Sequence, residues 1–131
     1  TDYNYIKTFL QELNPAIELK SIAFDKWNSS QLINDLKDIG LPCEPYSQAL
    51  SHMSYPTKEF EKMVMGKQLK HDGNPVMAWM MKNVALMTDS NDNIKIDKKK
   101  SHEKVDGPVS AVMALGQCIK DKANEEQYYF A

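Results

Sequence analysis

The sequence predicts an α/β fold. Three observations carry that expectation. The first is a strand, helix, strand succession within about thirty residues, the signature of a βαβ unit with a parallel pair and a right-handed crossover. The second is a more helical second half with one candidate hairpin. The third is bulk: 131 residues, 42% apolar and 26% charged, suit one ordinary domain that is neither disordered nor membrane-embedded.

The elements follow in chain order. Residues 2–14 read as a helix, because Tyr3, Ile6, Phe9, Leu10 and Leu13 recur at helical spacing. Asp2 suits its start and Asn14-Pro15 its stop. Leu19-Lys20-Ser21-Ile22-Ala23-Phe24 fits a short buried strand that ends at Asp25. A second helix is expected over residues 29–39, with Asn28 and Gln31 as a capping box. Leu32, Ile33, Leu36 and Ile39 are its buried face, and Gly40 is its stop. Residues 41–48 can hold another short strand, limited by Pro42 and Pro45.

Pro56 fits a first helical position, and Phe60, Met63 and Val64 give that helix a face running to about Lys70. Asn74-Pro75 opens another helix, with Val76, Trp79, Met80, Val84 and Met87 as its stripe and Asn83 beside it. Ser90-Asn91-Asp92-Asn93 is a turn cluster between Ala85–Met87 and Ile94 with Ile96, which suggests a small hairpin. Residues 98–104 form a polar, mainly basic loop. The last helix opens at Asp106-Gly107-Pro108 and runs through Val109, Val112, Met113, Gly116 and Ile119. From residue 124 the tail, acidic and then aromatic, is expected to be loose.

Charge and thiols narrow the classes of function. The net charge is −2, and all sixteen basic residues are lysine. Without arginine there is no bidentate clamp for phosphate or guanine, so any nucleic-acid contact rests on lysine and backbone groups. No apolar run approaches the ~18 residues of a membrane span. Cys43 and Cys118 lie far apart without CxxC spacing and read as reduced intracellular thiols in apolar surroundings.

Two carboxylates and one loop merit chemical attention. Asp25 follows a strand and precedes a helix, the position where ligands gather in open α/β sheets and where a carboxylate can hold a hard cation. An ordinary loop residue near a helix N-terminus would look the same. Asp106 precedes Gly107-Pro108 at a helix start, where aspartate is a common cap; a capping carboxylate still has an oxygen for metal. Lys95, Lys98, Lys99, Lys100 and Lys104 stand against only Asp97 and Glu103, an excess that can neutralise phosphates or simply face solvent. His52, His71 and His102 have no zinc spacing, and there is no phosphate-cradling glycine loop or serine elbow. His71 reads as part of the turn before a helix. The methionines around Trp79 read as gap-fillers, and Asn83 as a hydrogen-bonded, half-buried side chain.

Taken together, these segments resemble the tailed-phage terminase large subunits. Ile22-Ala23-Phe24-Asp25-Lys26-Trp27-Asn28 resembles that family's strand ending in an acidic residue, and Gln31-Leu32 with Leu36 to Gly40 resembles the helix and glycine that follow. His71-Asp72-Gly73-Asn74-Pro75-Val76-Met77-Ala78-Trp79, with Asn83-Val84, is similar to its H-x-x-N-P-x-x-x-W … N-V stretch. Lys98-Lys99-Lys100-Ser101, then Lys104-Val105-Asp106-Gly107-Pro108-Val109 and Ala114-Leu115, resembles its K-x-x-S … K-I-D-G … A-x-A-L ending.

The resemblance implies a ribonuclease H-like nuclease domain, a short sheet flanked by helices, spanning residues 1–131 as a single partial domain. It implies an endonuclease that cuts concatemeric double-stranded DNA with Mg²⁺ or Mn²⁺ in a two-metal site. Asp25 and Asp106 would be metal ligands that come close in space, and Lys98, Lys99, Lys100 and Lys104 DNA contacts. Expected partners are DNA, the terminase small subunit and the portal protein, in the host cytoplasm and without a membrane. The family's first catalytic aspartate lies on an earlier strand, so the chain reads as lacking its N-terminal strands and as weak or inactive alone. The rival readings are a non-catalytic DNA- or portal-docking module from a decayed prophage, a resolvase or transposase relative, and a small helical ligand-binding domain.

Overall fold

A computed structural model of the chain describes residues 2–25, 27 and 30–130. The elements run α1 (Tyr3–Ile17), β1 (Ile22–Phe24), α2 (Ser30–Asp38), β2 (Cys43–Pro45), α3 (Leu50–Met65), α4 (Pro75–Lys82), β3 (Leu86–Thr88), β4 (Ile94–Ile96) and α5 (Asp106–Phe130). They form two compact units, residues 1–47 and 48–131. The α/β class is as expected; among the described residues the strands pair as β1–β2 in the first unit and β3–β4 in the second.

In the first unit, Asp2 caps α1 by accepting the N–H groups of Asn4 (3.0 Å) and Tyr5 (3.4 Å). The helix continues past Pro15, which the sequence places as its stop. Near a C-terminus proline forfeits one N–H bond with little downstream to lose. The stop is set by Asn14: its backbone carbonyl accepts from Glu18, a left-handed residue, and its side chain accepts from Leu19 at 3.0 Å. The apolar stripe is narrower than expected. Ile6, Leu10 and Leu13 are half-buried, whereas Tyr3 and Phe9 are exposed.

β1 and β2 pair in parallel, with Ile22 beside Cys43 and Phe24 beside Pro45. The pair is extended at both ends, since Ile22 donates to Pro42 O and Tyr46 to Phe24 O. α2 ends as its sequence dictates. Gly40 takes φ +84, its N–H reaches Lys37 O, and Leu41 N–H reaches Leu36 O at 3.0 Å. That is a Schellman stop, which brings Leu41 onto Leu36. Both enter the core with Ile33 and Cys43, against which Leu10, Leu19, Ile22, Phe24, Leu32 and Ile39 pack. The proposed cap Asn28 lies outside the described residues.

In the second unit, α3 starts six residues before Pro56, the expected first position. Pro56 is instead buried inside the helix. An interior proline costs about 3 kcal/mol. Here the cost is offset by burial of Met53, Ser54, Pro56 and Thr57 where α3 packs on α5 and β4. Thr57 Oγ1 donates to Met53 O at 2.6 Å, and Ser54 Oγ accepts Ile94 N–H, tying the helix to β4. α3 stops at Gly66, not Lys70, with Lys67 as the left-handed residue.

α4 begins where expected. Asn74 Oδ1 accepts from Val76 (2.9 Å) and Met77 (3.2 Å). His71 and Asp72 build the approach by accepting the N–H groups of Gly73 and Asn74. Replacing Asn74 by Ala is expected to cost about 1 kcal/mol, read as a lower urea midpoint with unchanged slope. The buried side of α4 is not the expected stripe. Val76 and Trp79 are 56% and 44% exposed, while Met77 and Met80 turn toward α5. Gly107 makes that approach possible: a Cβ there would lie 2.8 Å from Met77 Sδ and 2.9 Å from Met80 Sδ.

The hairpin exists, with β3 and β4 antiparallel and Leu86 beside Ile96. Its turn is organised by Asp89, whose carboxylate accepts from Asn91 N–H, Asn93 N–H and Asn93 Nδ2. Hydrogen bonds from the Asn93 side chain, then its backbone, hold the Asp89 carboxyl below its ordinary value of 3.8. A depressed folded value means the turn gains from Asp89 at pH above the unfolded value, and loses that gain as pH falls through the folded one. We expect the protection of the Asn91 and Asn93 amides, relative to their intrinsic exchange at each pH, to fall below about pH 4. Asp89→Asn should remove that acid sensitivity.

α5 is built around Val109, Val112 and Met113, with Val105 and Ile96 completing the core. It continues to Phe130 through the segment expected to be loose. Residues 122–127 are exposed, and Ala, Glu and Gln there favour helix without tertiary support.

Candidate metal-ligand and lysine site

Each proposed site residue sits at the end of an element. Asp25 follows β1 at the carboxyl end of the parallel pair and is half-buried. Its Oδ1 accepts Trp27 N–H at 3.2 Å, so one oxygen shapes the turn. Beside it, Tyr46 N–H holds the carbonyl of Phe24, and burial pushes the Tyr46 phenol up. Lys37 lies 5.7 Å over the Phe24 ring, a cation–π contact that places one positive charge in this unit's strand region.

Asp106 is in the second unit. It is the first residue of α5, where the helix dipole favours a carboxylate. Val105 O already accepts from Val109 N–H, so Asp106 stands inside the first turn. Its carboxylate is exposed and faces Lys98 Nζ at 3.8 Å. An exposed pair at that distance contributes little to stability. Its interest is positional, since it brings the lysine loop onto the carboxylate.

The loop is a constructed turn. Asp97 Oδ1 accepts the N–H groups of Lys99 (2.9 Å) and Lys100 (3.1 Å), and Asp97 O accepts Ser101 Oγ at 2.7 Å. Ser101 Oγ in turn accepts Ala85 N–H, and Asn83 Nδ2 donates to Lys104 O. Lys98, Lys99, Lys100 and Lys104 are all exposed. Asp97 and Ser101 were not singled out as organisers by charge counting. The signal was present as an aspartate followed by residues whose N–H groups it can accept, the Asx-turn pattern.

A cleft of about 360 Å³ opens beside this turn. Met53, Met87, Ile96 and Val109 form its floor, and Lys95, Lys98 and Lys99 its rim.

Asp25 and Asp106 stand in different units. Both offer hard oxygen donors, the kind that Mg²⁺ and Mn²⁺ take. Among the described residues no group of three or more His, Cys, Asp or Glu side chains is placed to hold a metal ion. The donors fit such a cation in kind and fall short in number. Both cysteines are free. Cys43 is buried, and burial pushes its thiol up, whereas Cys118 is exposed, contrary to its expected apolar setting. No helix among the described residues is long and apolar enough to cross a membrane.

The fold and these positions define an α/β protein with one carboxylate at a strand end and another at a helix start beside a cationic turn. The chain belongs to the terminase large subunit, endonuclease domain, family, whose model matches residues 1–122. Protein YmfN of Escherichia coli (strain K12) is 32% identical over 120 residues, which is 90% of this chain and 26% of that protein. The terminase large subunit of Enterobacteria phage HK97 is 28% identical over 117 residues, 88% of this chain and 23% of that one. The crystal structure of the HK97 bacteriophage large terminase matches with a TM-score of 0.80 at 28% identity, covering 89% of this chain and 25% of that chain. The chain thus spans about a quarter of the relatives it matches.

Proposed function

We propose that residues 1–131 form a single, partial ribonuclease H-like nuclease domain of a protein that cuts concatemeric double-stranded DNA during phage DNA packaging. The observation that carries this reading is Asp25, a half-buried carboxylate at the carboxyl end of a parallel strand pair, in a chain of an endonuclease family. In this reading Asp25 and Asp106 are each a ligand to divalent metal, Mg²⁺ or Mn²⁺. Two such ions, when bound, activate the attacking water and stabilise the leaving oxygen. The chain's own contribution is to fix the two carboxylates and to bring lysines to the DNA backbone. Lys98, beside Asp106, would meet the phosphate nearest the cut. Lys99, Lys100 and Lys104 would hold flanking phosphates as point charges with little base readout.

Two carboxylates make a poor site for two metals. The 131 residues alone should therefore cut weakly or not at all, and a longer protein that adds a third carboxylate should cut well. The working partners in the host cytoplasm would be DNA, the terminase small subunit and the portal protein. The test is plasmid cleavage by a longer protein with Mg²⁺ or Mn²⁺. Nicking and linearisation that EDTA abolishes are expected. A second reading, a non-catalytic DNA- or portal-docking module of prophage origin, draws on the shortage of metal donors. It is favoured if the longer protein binds DNA and leaves plasmid intact.

The lysines give a separate prediction. Each lysine that neutralises a phosphate should lower the slope of log affinity against log salt by about 0.9 when replaced by glutamine. The combined Lys98, Lys99, Lys100 and Lys104 replacement should therefore flatten the salt dependence of duplex binding by three to four units, taken as about 0.9 per contact. An unchanged slope would remove these residues from the DNA interface.

A further inference from the structure

Trp27 stands two residues beyond Asp25, and its side chain has no role in the nuclease reading. That side chain is 83% exposed, more than any other large apolar side chain among the described residues. We infer that Trp27 positions the substrate: its indole stacks on a DNA base lifted out of the helix beside the phosphate that metal on Asp25 engages. The inference rests on the metal-ligand role proposed for Asp25.

Placement is the first support. Asp25 Oδ1 accepts the Trp27 backbone N–H at 3.2 Å, so the carboxylate sets where the indole begins. Two residues of chain span at most roughly 7 Å, and DNA advances roughly 3.4 Å per nucleotide along each strand. An indole on this turn therefore meets nucleotides within a few steps of a phosphate held at Asp25.

Exposure is the second. Phe24 and Tyr46 are the other aromatic residues at this end of the β1–β2 pair. Phe24 packs against the core and lies under Lys37 Nζ. Tyr46 is half-buried and extends the ladder by donating its N–H to Phe24 O. Both are built into the unit. Tryptophan usually buries a large area when it serves packing, and Trp27 leaves most of its surface outside.

Chemistry is the third. The chain has no arginine, so no guanidinium plane can stack on a base. Lysine binds phosphate as a point charge and leaves the bases untouched. An indole has the flat face that stacking needs, and every base offers it a matching one. A base inside the duplex shows its edges in the grooves. A face-on contact thus requires a base partly unstacked, as apolar wedges produce elsewhere. Such a contact fixes the register of the strand over Asp25 without adding charge. A protein partner over the same indole is the competing occupant.

Fluorescence of the Trp79→Phe chain tests this, since Trp27 is then its one tryptophan. The probes are a DNA duplex with a central unpaired base and the same duplex fully paired, with Ca²⁺ as the hard cation. Binding of the first should quench Trp27 emission and shield it from acrylamide. Trp27→Ala should weaken that binding about five- to hundredfold, with a smaller loss on the paired duplex. Trp27→Phe should restore most of it. Both variants keep the backbone N–H that Asp25 accepts, and their circular dichroism should match the parent. The slope of log affinity against log salt should not change, because a neutral ring releases no counterions. Unmoved Trp27 emission at saturating DNA, or equal losses on the two duplexes, overturns the proposal. So does resistance of Trp27 to N-bromosuccinimide in a longer protein before DNA is added, read by peptide mass, which marks a protein contact. Salt-dependent binding with unmoved emission overturns this proposal alone, whereas a chain that binds neither duplex overturns the DNA reading with it.

Discussion

Replacing Asp25 or Asp106 by asparagine in a longer, cutting protein is expected to lower plasmid cleavage by roughly two orders of magnitude or more. A bound divalent metal would contribute several kcal/mol of charge stabilisation to the transition state, a carboxylate acts by holding it, and each 1.36 kcal/mol lost is tenfold in rate. Asparagine is the informative replacement at Asp25. Its side-chain oxygen still accepts Trp27 N–H, so the turn after β1 survives while the negative charge is lost. At Asp106 the same change removes the partner of Lys98 on an exposed surface, where little stability is at stake. Rate loss with unchanged circular dichroism and unfolding midpoint therefore separates a metal role from a structural one. If both variants cut as fast as the parent, these two carboxylates are not the ligands.

Replacing Leu36 by alanine should cost about 3 kcal/mol, within the 2–5 kcal/mol seen for buried leucine truncations. Leu36 is 2% exposed and central to the first unit's core. It also fixes the path of the chain. Its carbonyl accepts Leu41 N–H and its side chain meets Leu41, so α2 hands the chain to β2 at a set angle. Loosening that contact frees β2 and, through the parallel pairing, the end of β1 that carries Asp25. A urea midpoint shift worth under about 1 kcal/mol would mean that the core tolerates the cavity. Leu36→Met, close in volume, is expected to cost less than about 1.5 kcal/mol.

Legibility in the sequence followed locality. Asp2, Asn74 and Gly40 act on backbone groups a few residues away, and the caps and the stop fall where their side chains or φ preference require. The hairpin was legible for the same reason, since Asp89 and Asn93 close their own turn. The two prolines at 15 and 56 were misleading. A proline forbids one bond, but whether the helix breaks depends on what burial its neighbours gain, and Met53 to Thr57 gain enough. Trp79 misled similarly. Helical spacing shows that a stripe exists, not which side of a methionine-rich helix meets α5, and the space left at Gly107 settled it for Met77 and Met80.

The candidate site divides along the same line. The acidic residue after the first strand, the acidic residue opening the last helix, the basic loop before it and the family motifs that join them are all readable from the residues alone, because each is a short-range pattern. It took the folded chain to place Lys98 on Asp106, to build the turn that presents it from Asp97 and Ser101, and to gather four apolar side chains from α3, the hairpin and α5 into a cleft beside it. The physical reason is distance along the chain. Met53 and Val109 become neighbours only after helix packing has excluded water from between them, and no local propensity records that event.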